Sequence, residues 1–172
     1  GISVIDFTDS SNPFEIAYFD RGPILEDELI TGGFWSAYYY QGIIYGTEIT
    51  RGLDVLKLIP SEYLSENEIA AAAMAHPVTG PRRLFNPQQQ VPMTWPATPE
   101  VALSYIDQLL RDNVITKDTA ERMSNILDQV TTAMDKGGSK RLARQINRSK
   151  LPVKESKVDF LTQYRLKKLD RT

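Results

Sequence analysis

The chain has 172 residues and a mass of 19.4 kDa, enough for one domain or two small ones. Apolar residues make up 41% and charged residues 24%, close to globular averages, so neither a disordered nor a fibrous polypeptide is indicated. Cysteine is absent, which excludes disulfides, thiolate nucleophiles and Cys-ligated metal sites, and His76 is the sole histidine, which excludes a multi-histidine metal centre and most imidazole-based catalysis.

The first 59 residues read as strands. Ile2, Val4, Ile5 and Phe7 form a β-branched and aromatic run that ends at the turn signal Asp9-Ser10-Ser11-Asn12-Pro13. Phe14, Ile16 and Tyr18 then alternate with Glu15, Ala17 and Phe19, which completes a hairpin. Asp20-Arg21-Gly22-Pro23 closes that strand, and residues 24–33 form a longer acidic loop ending in Gly32-Gly33. Three more strands with short turns follow: Phe34 to Tyr40, Ile43 to Thr47, and Leu53 to Leu58. The chain also echoes itself. Gly1-Ile2-Ser3-Val4-Ile5-Asp6-Phe7 matches Gly52-Leu53-Asp54-Val55-Leu56-Lys57-Leu58 in residue type at an offset of 51, with glycine leading and branched apolar residues at positions two, four and five. A period of about 40–50 residues with about four strands per period is the mark of propeller blades, each stacking its sheet on the next.

Residues 60–97 read as an extended connector. Ser65 and Glu68 form a capping box that opens a short Ala-rich helix, Glu66 to Ala75, which His76-Pro77 stops. Pro77, Pro81, Pro87, Pro92 and Pro96 then keep the backbone extended, and Phe85, Val91, Met93 and Trp95 are expected to lay it along the strand region as an apolar strap. From Thr98 the pattern is helical. Thr98 is expected as N-cap and Pro99 as first helical residue of a helix with Ala102, Ile106, Leu109 and Leu110 on one face, ending near Asp112-Asn113. Thr116 can cap a second helix, in which Ala120, Met123, Leu127, Val130 and Met134 make an apolar stripe and which Gly137-Gly138 ends. The two form an αα-hairpin. Ser139 is expected to cap a third helix, Lys140 to Arg148, and Glu155 to Leu169 a fourth. The expected class is α+β: an antiparallel, propeller-blade-like sheet over 1–59, the connector over 60–97, and a basic helical appendage over 98–172.

The formal net charge of −2 conceals an asymmetry. Residues 1–135 hold 8 Lys and Arg against 19 Asp and Glu, a net of −11, whereas residues 136–172 hold 12 against 3, a net of +9. A basic tail on an acidic body seeks an anion: nucleic acid, anionic lipid, an acidic partner or the body itself. Arg141, Arg144 and Arg148 share a helix face, and Lys150, Lys154, Lys157, Lys167, Lys168 and Arg171 extend the field. Nucleic acid is the least favoured of these partners, because neither an aromatic stacking platform nor a recognised motif accompanies the charge. Trp35, Tyr38, Tyr39 and Tyr40 form the densest aromatic cluster and are the second candidate partner-binding set; on a strand, alternate members face opposite sides, so half of them belong to a core and half can bind. The acidic loop with Glu26, Asp27 and Glu28 lacks the alternating spacing and central glycine of an EF-hand loop, so solvation is its expected state. His76 has no nucleophile signature nearby, Ser10, Ser11 and Ser139 read as turn and cap residues, and neither glycine pair has the companions of a phosphate loop. No catalytic residue, metal ligand or cofactor is assigned, and the expected protein is not an enzyme.

The run from Gly1-Ile-Ser-Val-Ile-Asp-Phe-Thr-Asp-Ser-Ser-Asn-Pro13, the Gly33-Phe-Trp-Ser-Ala-Tyr-Tyr-Tyr40 segment and Arg51-Gly52-Leu-Asp-Val-Leu56 resemble an LVIVD-repeat protein over residues 1–59, with a looser likeness at Leu64 to Ile69 and Trp95-Pro96. The second repeat departs from the pattern after Leu58, where it lacks the Asp-x-x-Asn-Pro turn. The resemblance implies a β-propeller and an exported or cell-surface protein of the extracytoplasmic space. Fifty-nine residues supply about one blade and a fragment, whereas closed propellers use about four blades or more. The chain is therefore expected to be the carboxyl-terminal part of a longer polypeptide, or to have other chains of a larger assembly covering it. The functional expectation is an interaction or scaffold module; the alternatives are a piece of a propeller enzyme or ligand binder whose site lies in other blades, and a binder of anionic surfaces through the basic tail.

Overall fold

The computed structural model describes residues 1–78, 92–135 and Leu169. The chain is α+β and divides into two compact units, Gly1–Trp95 and Pro96–Thr172.

The first unit opens with strands β1 (Ile2–Asp6) and β2 (Phe14–Phe19), an antiparallel hairpin in which Ile2 pairs with Phe19 and Val4 with Ala17, with a register shift between Val4 and Ile5. Its turn is set by aspartates bonding their own backbone: the Asp6 carboxylate accepts from the Thr8 N–H at 2.8 Å and that of Asp9 from the Ser11 N–H at 3.0 Å. Strands β3 (Phe34–Tyr40), β4 (Ile43–Glu48) and β5 (Gly52–Leu56) form a separate antiparallel meander. The expected single blade is thus two sheets, because the acidic loop over residues 24–33 carries β3 away from the β2 edge. The β3–β4 turn uses Gln41 and Gly42, both with positive φ (48° and 83°), the backbone of a tight two-residue hairpin turn.

The two sheets stack face to face. Strand alternation puts Phe34, Ile44, Gly46 and Leu56 on one side of the meander, and the hairpin covers that side with Ile2 and Phe19. Gly46 marks the closest approach: a Cβ built there would stand 2.7 Å from both Ile2 Cδ1 and the Phe34 ring. Phe19 meets Phe34 edge to face at 6.1 Å, and Arg21, whose guanidinium lies 5.3 Å from the Phe19 ring centroid, pairs with Asp54 on β5.

Helix α1 (Glu66–Met74) starts with the capping box read from the sequence: Ser65 Oγ accepts from the Glu68 N–H at 3.1 Å and the Glu68 carboxylate from the Ser65 N–H at 2.8 Å. Just before it, Tyr63 packs edge to face on Phe14 at 5.6 Å. Beyond α1 the two ends of the connector pair with each other as short strands, β6 (His76–Pro77) and β7 (Met93–Thr94), with the Val78 N–H bonding the Pro92 carbonyl at 2.8 Å. Phe85 and Val91, expected in an apolar strap, lie outside the described residues.

In the second unit, helices α2 (Pro99–Arg111) and α3 (Lys117–Asp135) form the expected αα-hairpin. Ile106 and Leu109 are fully buried and, with Ile115 and Ala120, make a core on which Leu110, Met123, Leu127 and Leu169 pack. Thr98 holds the N-cap position with extended backbone, yet its side chain makes no cap bond, which corrects the expected side-chain cap; its carbonyl accepts the Ala102 N–H at 3.1 Å. Asn113, at φ 57°, takes the left-handed position that ends α2. Thr116 does cap α3, its Oγ1 accepting from the Thr119 N–H at 3.2 Å. The helices expected over 140–148 and 155–169 lie outside the described residues except for Leu169, which is helical.

The stacking makes Gly46 intolerant of a side chain. Gly46→Ala should lower stability by about 1–3 kcal/mol through overpacking against Ile2 and Phe34, read as a lower denaturant midpoint at unchanged slope; an unchanged midpoint would contradict the face-to-face packing.

Candidate interaction surface

Because side chains alternate along a strand, burying one side of each sheet leaves the other side to be accounted for. On the meander, Tyr38 stands opposite Tyr45, Tyr45 opposite Val55, Thr47 opposite Leu53 and Tyr40 opposite Ile43, so these residues share the side away from the hairpin. Leu53 and Val55 there are 62% and 59% exposed, and Tyr40 and Tyr45 are exposed too. On the hairpin, Ser3 opposite Tyr18 marks the outer side, where Tyr18 is 76% exposed and Ile5 is also open. The stack therefore has one shared interior, an apolar outer face on the meander and a mixed one on the hairpin, where Tyr18 and Ile5 stand beside Ser3 and Glu15.

The sequence-predicted aromatic residues divide between these sides. Tyr38 and Tyr40 lie on the outer face, Tyr38 half-buried and Tyr40 exposed; Tyr39, opposite Ile44, lies on the other side of the strand yet is itself 37% exposed, and its partial burial pushes its phenol above the usual range against the opposing effect of a bond with the Gly42 backbone. Trp35 falls in the register shift between Phe34 and Ser36 and is 82% exposed. Tyr45, Leu53 and Val55 were not among the predicted site residues, although their β-branched and aromatic alternation placed them on strands; what reveals their exposure is the pairing register. The basic candidates Arg141, Arg144, Arg148, Lys150, Lys167 and Lys168 lie outside the described residues.

The polar groups of this unit serve its architecture. Glu48, buried at the end of β4, accepts from the Gly33 N–H at 2.6 Å, the Thr50 N–H at 2.8 Å and the Arg51 N–H. Around it, Thr50 Oγ1 donates to the Thr31 carbonyl at 3.0 Å, the Ile49 N–H to the Gly33 carbonyl at 3.0 Å and Arg51 to the Pro23 carbonyl at 3.0 Å. These bonds fasten both feet of the acidic loop to the β4–β5 turn, while Leu29 at its crown is fully exposed. Among the described residues, no three carboxylate or imidazole groups converge as metal ligands, and no helix is long and apolar enough to cross a membrane. His76 is exposed, its Nδ1 3.2 Å from the Met74 carbonyl at the end of α1. A groove of about 460 Å³ lies where α1 meets the meander, lined by Gly42, Ile43, Leu58, Pro60, Ile69 and Ala73 with only Lys57 and Glu66 charged, which offers shape without a constellation for acid–base or nucleophilic chemistry. No family model matches this chain, and neither do curated proteins or solved structures.

The Glu48 clamp gives the unit a defined pH response. The Gly33 N–H foremost, then the Arg51 and Thr50 N–H groups and the Arg51 charge, outweigh burial and hold the Glu48 carboxyl below the usual carboxylate range. A depressed folded-state pKa stabilises the fold at pH above the ordinary glutamate value of about 4.3, and that contribution disappears as pH falls through the lower folded-state value. Glu48→Gln should therefore be less stable than the parent at pH 7, and the two denaturant midpoints should converge as pH drops below about 4; a gap that stays constant with pH would refute the clamp.

Proposed function

We propose that this chain is a non-enzymatic interaction module, an accessory or scaffold part of a larger extracytoplasmic assembly, in which further sheets of the LVIVD-repeat, propeller-like kind cover the outer faces of the stacked hairpin and meander. The observation that carries the reading is the exposed apolar outer face of the meander, Tyr40, Tyr45, Leu53 and Val55, on a sheet whose other face already packs on the hairpin. A sheet that is apolar on both sides is one that is covered on both sides, and contiguous exposed apolar area on a soluble surface marks an interaction site. The 51-residue echo supports the same reading, since it makes β5 the counterpart of β1: Leu53 and Val55 correspond to Ile2 and Val4, which the hairpin turns inward onto the meander. The extracytoplasmic setting comes from the LVIVD resemblance alone.

Purified alone, the chain should self-associate with rising concentration and bind a hydrophobic dye. The double substitution Leu53→Lys with Val55→Lys should abolish both while leaving the thermal midpoint within a few degrees, because these side chains are exposed. A monomer at every concentration that binds no dye, indifferent to the substitutions, would sink the proposal.

The charge asymmetry favours a second reading, attachment of residues 136–172, with net +9, to an anionic membrane surface. At about 1 kcal/mol per basic residue near such a surface, Arg141→Gln, Arg144→Gln and Arg148→Gln together should weaken binding to phosphatidylserine-containing vesicles about a hundredfold. Equal binding to neutral and anionic vesicles would end this reading.

A further inference from the structure

The αα-hairpin of the second unit has a companion besides its own two helices. Leu169, helical and half-buried, packs against the core of Ile106, Leu109, Ile115 and Ala120. That core gathers about the turn joining α2 to α3, whereas the chain leaves α3 at Asp135, 19 residues and about 28 Å along the helix from its start at Lys117. Between Asp135 and Leu169 the chain has returned to the end of the hairpin opposite the one it left. In helical phase with Leu169, the sequence sets Val158, Leu161 and Leu166 on the same side, a stripe suited to packing on another helix. Charge agrees with the contact. Residues 98–135 hold 3 Lys and Arg against 7 Asp and Glu, a net of −4, while residues 136–172 carry a net of +9.

We infer that the αα-hairpin is the docking face for the basic carboxyl-terminal segment of its own chain, seated through Leu169, and that an anionic surface binds this segment only by displacing it from the seat. The inference rests on the second reading proposed above, attachment to an anionic membrane, and supplies its regulation. Lysines and arginines held over the carboxylates of the hairpin are not free to neutralise lipid phosphates, so the two anionic partners compete for one segment. A partner that takes only the undocked state has its apparent affinity lowered by the undocked fraction. Exposed charge pairs contribute little individually, so the apolar contact at Leu169 sets that fraction. The occupant is the segment of the same chain because its tether holds it at a local concentration of about millimolar, which a second copy in dilute solution does not reach.

The test uses the full 172-residue chain, whose lack of cysteine lets one introduced thiol be followed alone. The thiol of Leu169→Cys should react with a maleimide at least fivefold more slowly than that of Thr132→Cys, an exposed position on α3, and at a rate independent of protein concentration. Equal rates overturn the seat, and protection that grows with protein concentration overturns its assignment to the same chain. Leu169→Asn leaves the charge unchanged and should bind phosphatidylserine-containing vesicles at least fivefold more tightly than the parent, while Leu169→Met binds as the parent does. Equal binding by Leu169→Asn and the parent overturns the competition. If neither binds vesicles, the membrane reading falls and the competition with it, whereas protection of the thiol is read without vesicles and decides the seat separately.

Discussion

The first unit depends on the close approach of two sheets over Gly46. Stacked sheets lie about 10 Å apart, a gap that facing side chains normally fill from both directions. At Gly46 the meander contributes nothing, so Ile2 reaches in from the hairpin and Phe34 folds over from its own sheet. That contact sets the rest: Phe19 meets Phe34 and Arg21 meets Asp54. Strand alternation then leaves Tyr18 on one outer side and Tyr45, Leu53 and Val55 on the other. The outer faces are a consequence of the interior.

The polar groups are committed to the fold in the same way. Glu48 spends its carboxylate on three backbone N–H groups, Glu68 returns to the Ser65 N–H, and the buried Ser104 hydroxyl donates to the Val101 carbonyl at 2.8 Å. Buried polar groups engaged this way resolve a desolvation penalty at turns and helix ends. A catalytic group has a different profile, a perturbed titration beside an open pocket and a second group with which to exchange a proton. Glu48 has the perturbation, but its neighbours are backbone amides.

Much of this architecture was legible in the sequence where local rules govern. All five long strands were foreseen because period-two apolar alternation and glycine or proline turns are local signals, and the Ser65–Glu68 capping box was readable because its geometry is set by a three-residue spacing. Thr98 shows the boundary of such reasoning: the residue type allowed a side-chain cap, and the backbone carbonyl takes the position without one. The division into two sheets was not readable, since it turns on whether β3 returns to the β2 edge, and the loop over residues 24–33 carries no mark of where it delivers the chain. The aromatic cluster was found as composition; that Tyr39 lies on one side of β3 and Tyr38 and Tyr40 on the other follows from alternation, but which side is covered depends on long-range packing, which leaves Tyr39 exposed as well. Tyr45, Leu53 and Val55 were missed as surface residues for the same reason: strand pattern identifies two faces, and only stacking tells which is occupied.

The composition of the faces separates the internal contact from the outer ones. Where hairpin and meander meet, Ile2, Phe19 and Phe34 contribute rings and aliphatic groups without polar tips, beside the Arg21–Asp54 pair. On the outer sides the aromatic residues are tyrosines: Tyr18 on the hairpin, Tyr38, Tyr40 and Tyr45 on the meander. A phenol brings the apolar area of a ring together with a hydroxyl that must find a partner or water, which makes tyrosine poor filling for a dry core and well suited to a surface that is wet in one state and covered in another. If the outer faces were obligate core, the inner chemistry would be expected to repeat there, with phenylalanine and isoleucine. Tyrosine instead fits a joint between separately folded pieces, with Leu53 and Val55 as its apolar centre and the hydroxyls around it.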